Sequence, residues 1–226
     1  MAEEIYRKLE GISSEGTSLG TMGLADLSMY AGRYDEATSI VMRGIAADEK
    51  EHRSGEIAHK LIALAEAYNA LGRKNDARSS ALRAVRENAL DDGIHFLAAQ
   101  ALIDAGDDVA AQQLATDLER KLQRQTKSFA LVIKGSIAAN QRRLSDAVDA
   151  YREAQKYQDA WFSHLLLGRA YIEAGHYVEA LAELETCATR ASEVTDLFDA
   201  NTTTLRYLPP LYYWLGRAQE IGRAHV

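Results

Sequence analysis

The sequence predicts an all-α fold: a right-handed α-α superhelix, or solenoid, of about five helix pairs plus flanking single helices. A short motif ending in alanine recurs five times, and its closing alanines lie 40, 34, 36 and 33 residues apart. They are Ala37, Ala77, Ala111, Ala147 and Ala180. A period near 34 residues is typical of helix-pair repeats. Residues 1–208 contain no proline, which fits nearly uninterrupted helix. Each repeat is therefore predicted to contribute a helix A, a tight turn and a helix B.

The repeats are predicted to form a single solenoid domain over residues 1–226, because each repeat packs on its neighbours. A preceding helix is assigned to residues 1–17, and the repeats to 18–51, 58–91, 92–125, 128–160 and 161–194. An insert at 195–210 precedes the start of a sixth repeat at 211–226. Since the chain begins and ends on half-repeats, we expect a fragment of a longer protein or a chain that pairs its open ends.

The turn between helices A and B carries glycine in four of the five repeats, at Gly32, Gly72, Gly106 and Gly175. Glycine suits the left-handed backbone conformation that commonly ends a helix. In the first four repeats a polar residue follows the turn and is predicted to cap helix B, whereas Tyr177 and Val178 take that place in the fifth repeat. These predicted caps are Asp35, Asn75, Asp107 and Ser145.

The fifth repeat shows the pattern of large and small core residues most clearly. Its key positions are Leu167, Gly168, Tyr171, Gly175, Tyr177 and Ala180. Residues three or four apart share one face of a helix. A small residue such as Gly168 is therefore expected to let the neighbouring helix approach closely.

This frame resembles the tetratricopeptide repeat (TPR) over roughly residues 18–194, although the closing proline of that family is absent. The resemblance implies a helix-pair solenoid that binds proteins and does no chemistry. More weakly, residues 206–218 resemble the C-terminal TPR region of bacterial multidomain proteins with eukaryotic-like serine/threonine kinase domains. No kinase motif occurs in the sequence itself.

In the TPR family a concave groove is lined mainly by the A helices, and the resemblance carries those positions onto this chain. The implied groove residues are Met22, Asp26, Tyr30, Glu66, Asn69, Phe96, Gln100, Phe129, Ser136, Asn140, Phe162, Arg169, Tyr213 and Arg217. His59 takes an equivalent position in the second repeat. Amides could bond a peptide backbone and aromatic rings could anchor apolar side chains. Each of these residues could instead pack between repeats.

Composition and motifs argue against other classes of function. The net charge of −7 disfavours nucleic-acid binding, which needs a basic face. No apolar run reaches the length of a membrane span, and the N-terminus lacks signal-peptide features, so we expect a cytoplasmic protein. Cys187 is expected to be a small buried side chain, and His164 a packing residue. The scattered histidines predict no metal site, and no catalytic motif or cofactor-binding motif is present, so we predict a non-enzyme.

We therefore predict a non-catalytic scaffold that binds a peptide or protein segment in its groove. One alternative is a regulatory or sensory segment of a larger bacterial signalling enzyme of the kinase type. Another is a self-assembly element, suggested by the aromatic run Tyr212-Tyr213-Trp214 in the final helix. The insert either carries binding specificity, as inserted loops on repeat scaffolds often do, or is a surface connector.

Overall fold

The computed structural model describes residues 1–196 and 202–224, and every regular element in them is helical. These residues form two compact units: unit 1 holds 1–107 and 202–206, and unit 2 holds 108–196 and 207–224. The helices are α1 (Ala2–Glu10), α2 (Ser14–Tyr30), α3 (Tyr34–Lys50), α4 (Ser54–Ala70), α5 (Lys74–Glu87), α6 (Asp92–Asp104), α7 (Asp108–Glu119), α8 (Arg124–Asn140), α9 (Leu144–Tyr157), α10 (Trp161–Ala174), α11 (Tyr177–Thr189) and α12 (Leu208–Ala224). Two short 3-10 helices span Ala191–Asp196 and Leu205–Tyr207. The predicted all-α class is confirmed.

Within each unit, successive helices pack as antiparallel pairs around a core of small and aliphatic side chains. Close packing depends on glycine at Gly168, as the sequence predicted, and also at Gly135. A Cβ atom at Gly168 on α10 would lie 2.7 Å from Cγ of Leu184 on α11. A Cβ atom at Gly135 on α8 would lie 2.6 Å from the Tyr151 ring on α9. Both separations are shorter than van der Waals contact, so these helix pairs can approach only because glycine lacks a side chain.

The turn glycines adopt the predicted left-handed conformation, with φ angles of 73°, 73°, 86° and 83°. They are Gly32, Gly72, Gly106 and Gly175. In the fourth repeat Arg142 takes the same conformation with φ 61°, although it carries a side chain. The next residue donates its backbone N–H to the carbonyl five residues back, as Arg33 does to Ser28 at 2.8 Å. This pattern is the Schellman motif, which satisfies the last carbonyls of the preceding helix.

The predicted helix caps were wrong in three of four cases. The residues at the cap positions are Arg33, Arg73 and Arg143, and none makes a side-chain cap hydrogen bond. After the Schellman motif, helix B begins directly behind each of these arginines, so Asp35, Asn75 and Ser145 lie inside its first turn. Each arginine pairs with a carboxylate three residues later, for example Arg33 Nε with Glu36 Oε2 at 2.6 Å. Asp107 alone of the four immediately precedes its helix.

Helix ends differ from the predicted repeat boundaries in a regular way. Helices α2, α4 and α8 begin at Ser14, Ser54 and Arg124, four residues before the predicted starts at 18, 58 and 128. The extra first turns add few core positions, so the pattern of large and small residues does not reveal them. Pro209 and Pro210 lie in the first turn of α12, where proline is tolerated. No helix within the described ranges is long and apolar enough to cross a membrane.

A buried ionic cluster links α2, α3 and α4 in unit 1. Lys60 and Asp48 are 0% and 1% exposed, and Lys60 Nζ lies 2.7 Å from Asp48 Oδ2. Lys60 Nζ also donates to Ser18 Oγ at 2.6 Å, and Ser18 Oγ donates to Asp48 Oδ2 at 3.2 Å. The second carboxylate oxygen of Asp48 lies 3.2 Å from Arg53 Nη2. These partners compensate two charges that would otherwise be very costly to bury.

Candidate functional site

The candidate site lies in unit 1 on two A helices, α2 and α4, which place Asp26, His59 and Glu66 on one face. We call these three residues the acidic face. All three belong to the A-helix positions that the repeat frame assigned to the groove. Asp26 is 9% exposed and His59 is 8% exposed. Side chains this deeply buried need polar partners, because an unpartnered buried polar group is destabilising.

The partners come from the insert. We call residues 202–206 the insert segment, and its central residues Thr203 and Thr204 are buried. The backbone N–H groups of Thr204 and Leu205 both donate to Asp26 Oδ2, each at 3.2 Å. One carboxylate oxygen therefore holds two consecutive peptide groups, an interaction that does not depend on the side chains of the segment.

Side-chain contacts fix the remainder of the insert segment. The Arg206 guanidinium forms an ion pair and a hydrogen bond with Glu66 Oε1, and both side chains are only 11% exposed. Thr203 Oγ1 donates to Glu66 Oε2 at 3.4 Å, and Arg206 also donates to the carbonyl and hydroxyl oxygens of Thr203. Thr202 Oγ1 lies 3.3 Å from His59 Nδ1. Each member of the acidic face therefore contacts the insert segment.

The negative charges of Asp26 and Glu66 are in an unfavourable environment. Burial raises the pKa of Glu66 to about 7, although the charge of Arg206 acts in the opposite direction, and Asp104 and Asp26 add repulsion. Burial also raises the pKa of Asp26, whereas the backbone N–H groups of Leu205, Thr204 and Arg206 and the charge of Arg206 favour its charged form. The negative charge of this face is therefore destabilising, and Arg206 relieves it at both carboxylates.

The other predicted groove residues of unit 1 are mostly used for internal packing. Met22 and Phe96 are 3% and 2% exposed. The Asn69 side chain donates to the Ala101 carbonyl at 2.8 Å, so it joins α4 to α6. Gln100 is partly buried, whereas Tyr30 at the end of α2 is half exposed.

The predicted groove residues of unit 2 divide in the same way. Those buried in the packed interior are Phe129, Ser136 and Phe162. Those exposed are Asn140, Arg169, Tyr213 and Arg217. Ser136 accepts a hydrogen bond from the Tyr151 hydroxyl at 3.1 Å, and Asn140 donates to Asp108 at 3.3 Å.

Unit 2 contains a polar cluster that the sequence did not predict. The two ring nitrogens of His164 lie 2.5 Å from Glu183 Oε2 and Asp159 Oδ1. Burial opposes the charged imidazolium, but the hydrogen bonds and charges of Glu183 and Asp159 outweigh it and raise the pKa of His164. Arg190 also pairs with Asp159, at 3.1 Å. His164 is partly buried, but it serves as the centre of an ion-pair network and not as an apolar packing residue.

The single cysteine behaves as predicted. Cys187 on α11 is fully buried, and its Sγ lies 3.4 Å from the Trp161 carbonyl oxygen. Burial raises the pKa of its thiol to about 12. Throughout the described part of the chain, no group of three or more His, Cys, Asp and Glu side chains could hold a metal ion.

Comparison with solved structures identifies the fold. The TPR protein TTC0263 of Thermus thermophilus aligns with 86% of this chain and 99% of its own length, with a TM-score of 0.57 and 19% identity. This chain has the TPR fold. BtubC of P. vanneervenii covers 84% of this chain and 87% of its own, with a TM-score of 0.53 and 17% identity. A chain of the APC/C heterotetramer Cut9–Hcn1 aligns with 95% of the present chain, with a TM-score of 0.56 and 15% identity. The alignment spans only 45% of the APC/C chain.

The TPR resemblance inferred from the repeats is thus confirmed at the level of the fold. No protein-family model matches the sequence, and no curated protein matches it. The weaker resemblance to kinase-associated TPR regions finds no support in these comparisons. TPR domains are typically non-catalytic and bind proteins or peptides, as the repeat architecture favours.

Proposed function

We propose that this TPR chain is a non-catalytic scaffold for protein–protein interaction, which binds a short segment of another protein on the acidic face of unit 1. The observation that carries the proposal is the way Asp26 and Glu66 hold the insert segment. One carboxylate accepts two backbone N–H groups and the other pairs with a side chain. A face that binds one peptide segment in this way has the chemistry to bind another.

The two kinds of contact have different roles in recognition. Hydrogen bonds from backbone N–H groups to a carboxylate are charge-assisted and about twice as strong as neutral ones. They provide affinity for any peptide in the right conformation. The pairing of Glu66 with a cationic side chain selects among sequences. This combination is used widely in peptide recognition, where main-chain bonds supply affinity and side-chain sites supply specificity.

The proposal can be tested by affinity capture with site-directed cross-linking. The bait carries a photoreactive amino acid in place of Tyr30, which is half exposed on α2. A second bait adds Asp26→Asn and Glu66→Gln. The matched control bait instead adds Glu15→Gln and Glu51→Gln, which remove two exposed carboxylates of the same unit.

We expect a protein that cross-links to the first and control baits and is lost with the second. All three baits must give the same far-ultraviolet circular dichroism. A set of proteins that is identical for all three baits, or the absence of any cross-linked protein, would contradict the proposal.

Self-assembly remains a second candidate, because α12 presents large aromatic side chains to solvent. Tyr212 and Tyr213 are 56% and 59% exposed, and the Tyr213 ring packs edge-on against Trp214 at 5.0 Å. Exposed aromatic residues of this kind often mark protein interfaces. Light scattering decides this candidate: a mass that rises with concentration and is reduced by Tyr212→Ser with Tyr213→Ser supports it, and a constant monomer mass removes it.

A further inference from the structure

We propose that the insert segment is a built-in ligand of the acidic face, and that the partner peptide which replaces it must carry an arginine. This inference rests on the proposed function and deepens it, because it names the chemistry of the ligand and a means of regulation. The segment and the partner compete for the same three side chains, so the free chain is autoinhibited.

The contacts of the insert segment resemble those of a bound ligand more than those of a connector. A surface connector would expose its backbone to water, since most loops run over the surface. Here Thr203 and Thr204 are 2% and 4% exposed. The polar groups of Thr204, Leu205 and Arg206 are directed at side chains of α2 and α4, which lie up to 179 residues away in the sequence.

The charge of the acidic face favours a cationic ligand. Asp26, Glu66 and Asp104 are close enough for Asp26 and Asp104 to raise the pKa of Glu66 by repulsion. Burying carboxylates together is destabilising unless a cation accompanies them. Arg206 is the cation that lowers the pKa of both Asp26 and Glu66. A peptide without a positive charge would leave the face uncompensated, and such a peptide is disfavoured.

Arginine fits the geometry of this face better than lysine does. Arg206 contacts Glu66 through Nη2 and at the same time reaches the Thr203 carbonyl and hydroxyl through Nη1. A planar guanidinium can direct several donors at once in a fixed fork, whereas an ammonium is a compact point charge. Arg206 thus also bonds to Thr203 within the insert segment, and this bond holds Thr203 against the acidic face.

The experiment measures binding of a fluorescent peptide with the sequence of residues 202–206, blocked at both ends. A second peptide carries citrulline, which has the shape of arginine without its charge. The proteins are the native chain, Arg206→Gln, Arg206→Gln with Glu66→Gln, and the control Arg120→Gln. Arg120 is an exposed arginine of unit 2 whose side chain is 75% exposed.

Removal of Arg206 should release the built-in ligand, so the Arg206→Gln chain should bind the arginine peptide about tenfold more tightly than the native chain, or better. The Arg120→Gln control should match the native chain. The citrulline peptide, and the chain that also carries Glu66→Gln, should show weak binding or none. Circular dichroism must show that all four proteins are equally folded.

Equal affinity of the native and Arg206→Gln chains would overturn autoinhibition, and equal affinity for the two peptides would overturn the requirement for arginine. If Arg206→Gln binds neither peptide, the inference fails as a whole. The capture experiment then distinguishes failure of this inference from failure of the proposed function. A partner that depends on Asp26 and Glu66 would uphold the proposed function with a ligand of different chemistry, and its absence would remove both.

Discussion

The buried pair of Asp48 and Lys60 allows the packing of unit 1 to be tested with a double-mutant cycle. Both side chains are almost completely inaccessible, and Lys60 Nζ lies between Asp48 Oδ2 and Ser18 Oγ at 2.7 and 2.6 Å. The substitution Asp48→Asn preserves the shape of the side chain but leaves the ammonium of Lys60 without its counter-charge. Breaking a buried pair in this way costs about 3–5 kcal/mol.

The cycle uses the same replacement at each site, so its single variants are Asp48→Leu and Lys60→Met, and Asp48→Asn serves as a separate, shape-preserving test. Lys60→Met should cost a similar amount, because it leaves the Asp48 carboxylate with only Arg53 and Ser18 as partners. The double variant Asp48→Leu with Lys60→Met contains neither charge, and well-packed apolar replacements of buried pairs are often neutral or stabilising. We expect its free energy of unfolding to lie within about 1 kcal/mol of the native value.

Urea denaturation followed by two probes measures the effect. A loss of about 3 kcal/mol corresponds to a midpoint lower by at least about 1 M, for a urea m-value of about 1–3 kcal/mol/M. Circular dichroism reports on all helices, whereas both tryptophans, Trp161 and Trp214, belong to unit 2. We therefore expect the helical signal of unit 1 to be lost at lower urea than the tryptophan signal in the single variants.

The control is Glu36→Gln, which removes an exposed ion pair with Arg33 and should change stability by less than about 1 kcal/mol. If Asp48→Asn is no more destabilising than this control, the pair is not buried as the structure has it. If the double variant is as unstable as the sum of the single variants, the pairing argument is refuted.

Four further predictions concern unit 2. At Gly175 a Cβ would meet no atom within 4 Å, so Gly175→Ala should cost about 1–2 kcal/mol through its left-handed backbone alone, measured by tryptophan fluorescence in urea. Arg142→Gly should stabilise by about 0.5–1 kcal/mol in the same assay, because a non-glycine residue there adopts φ 61°. Because its pKa is raised in the folded chain, protonated His164 contributes stability that is fully present below about pH 6.5. This stability is lost as the pH rises through the folded-state pKa, so His164→Gln should be destabilising in acid and nearly neutral in base. Cys187 should react with iodoacetamide only in denaturant, since burial raises its pKa to about 12; rapid alkylation of the native chain would contradict this.

The helical framework could be predicted from the sequence because its signals are local. A glycine in the turn, such as Gly72, and a small residue at a helix crossing, such as Gly168, each report a constraint that acts within a few residues or between adjacent helices. The cap predicted at Asp35 was wrong because the Schellman motif moves the helix start two residues earlier, so that Arg33 takes the cap position. That shift depends on backbone geometry, which side-chain preference alone does not reveal.

The candidate site could be predicted only in part. The repeat frame assigned Asp26 and Glu66 to A helices, and they lie on α2 and α4, but the frame gave no indication of their partners. Arg206 is 140 residues from Glu66 in the sequence, and nothing local links them. The polarity of the insert was visible, yet its burial could not be inferred, because threonine and arginine usually occur at the surface. Long-range pairing between an irregular segment and a helix face leaves no periodic pattern in one sequence.

The measurement that tests the account most directly is amide hydrogen exchange of the insert segment, read by NMR at single residues. We expect the amides of Thr204 and Leu205 to be protected in the native chain, because both donate to Asp26. We expect Asp26→Asn to weaken this protection, while the control Glu51→Gln leaves it unchanged. If these two amides exchange in the native chain as fast as those of an unstructured peptide, the acidic face does not hold the insert segment. That result would contradict the proposal that the acidic face is a peptide-binding surface.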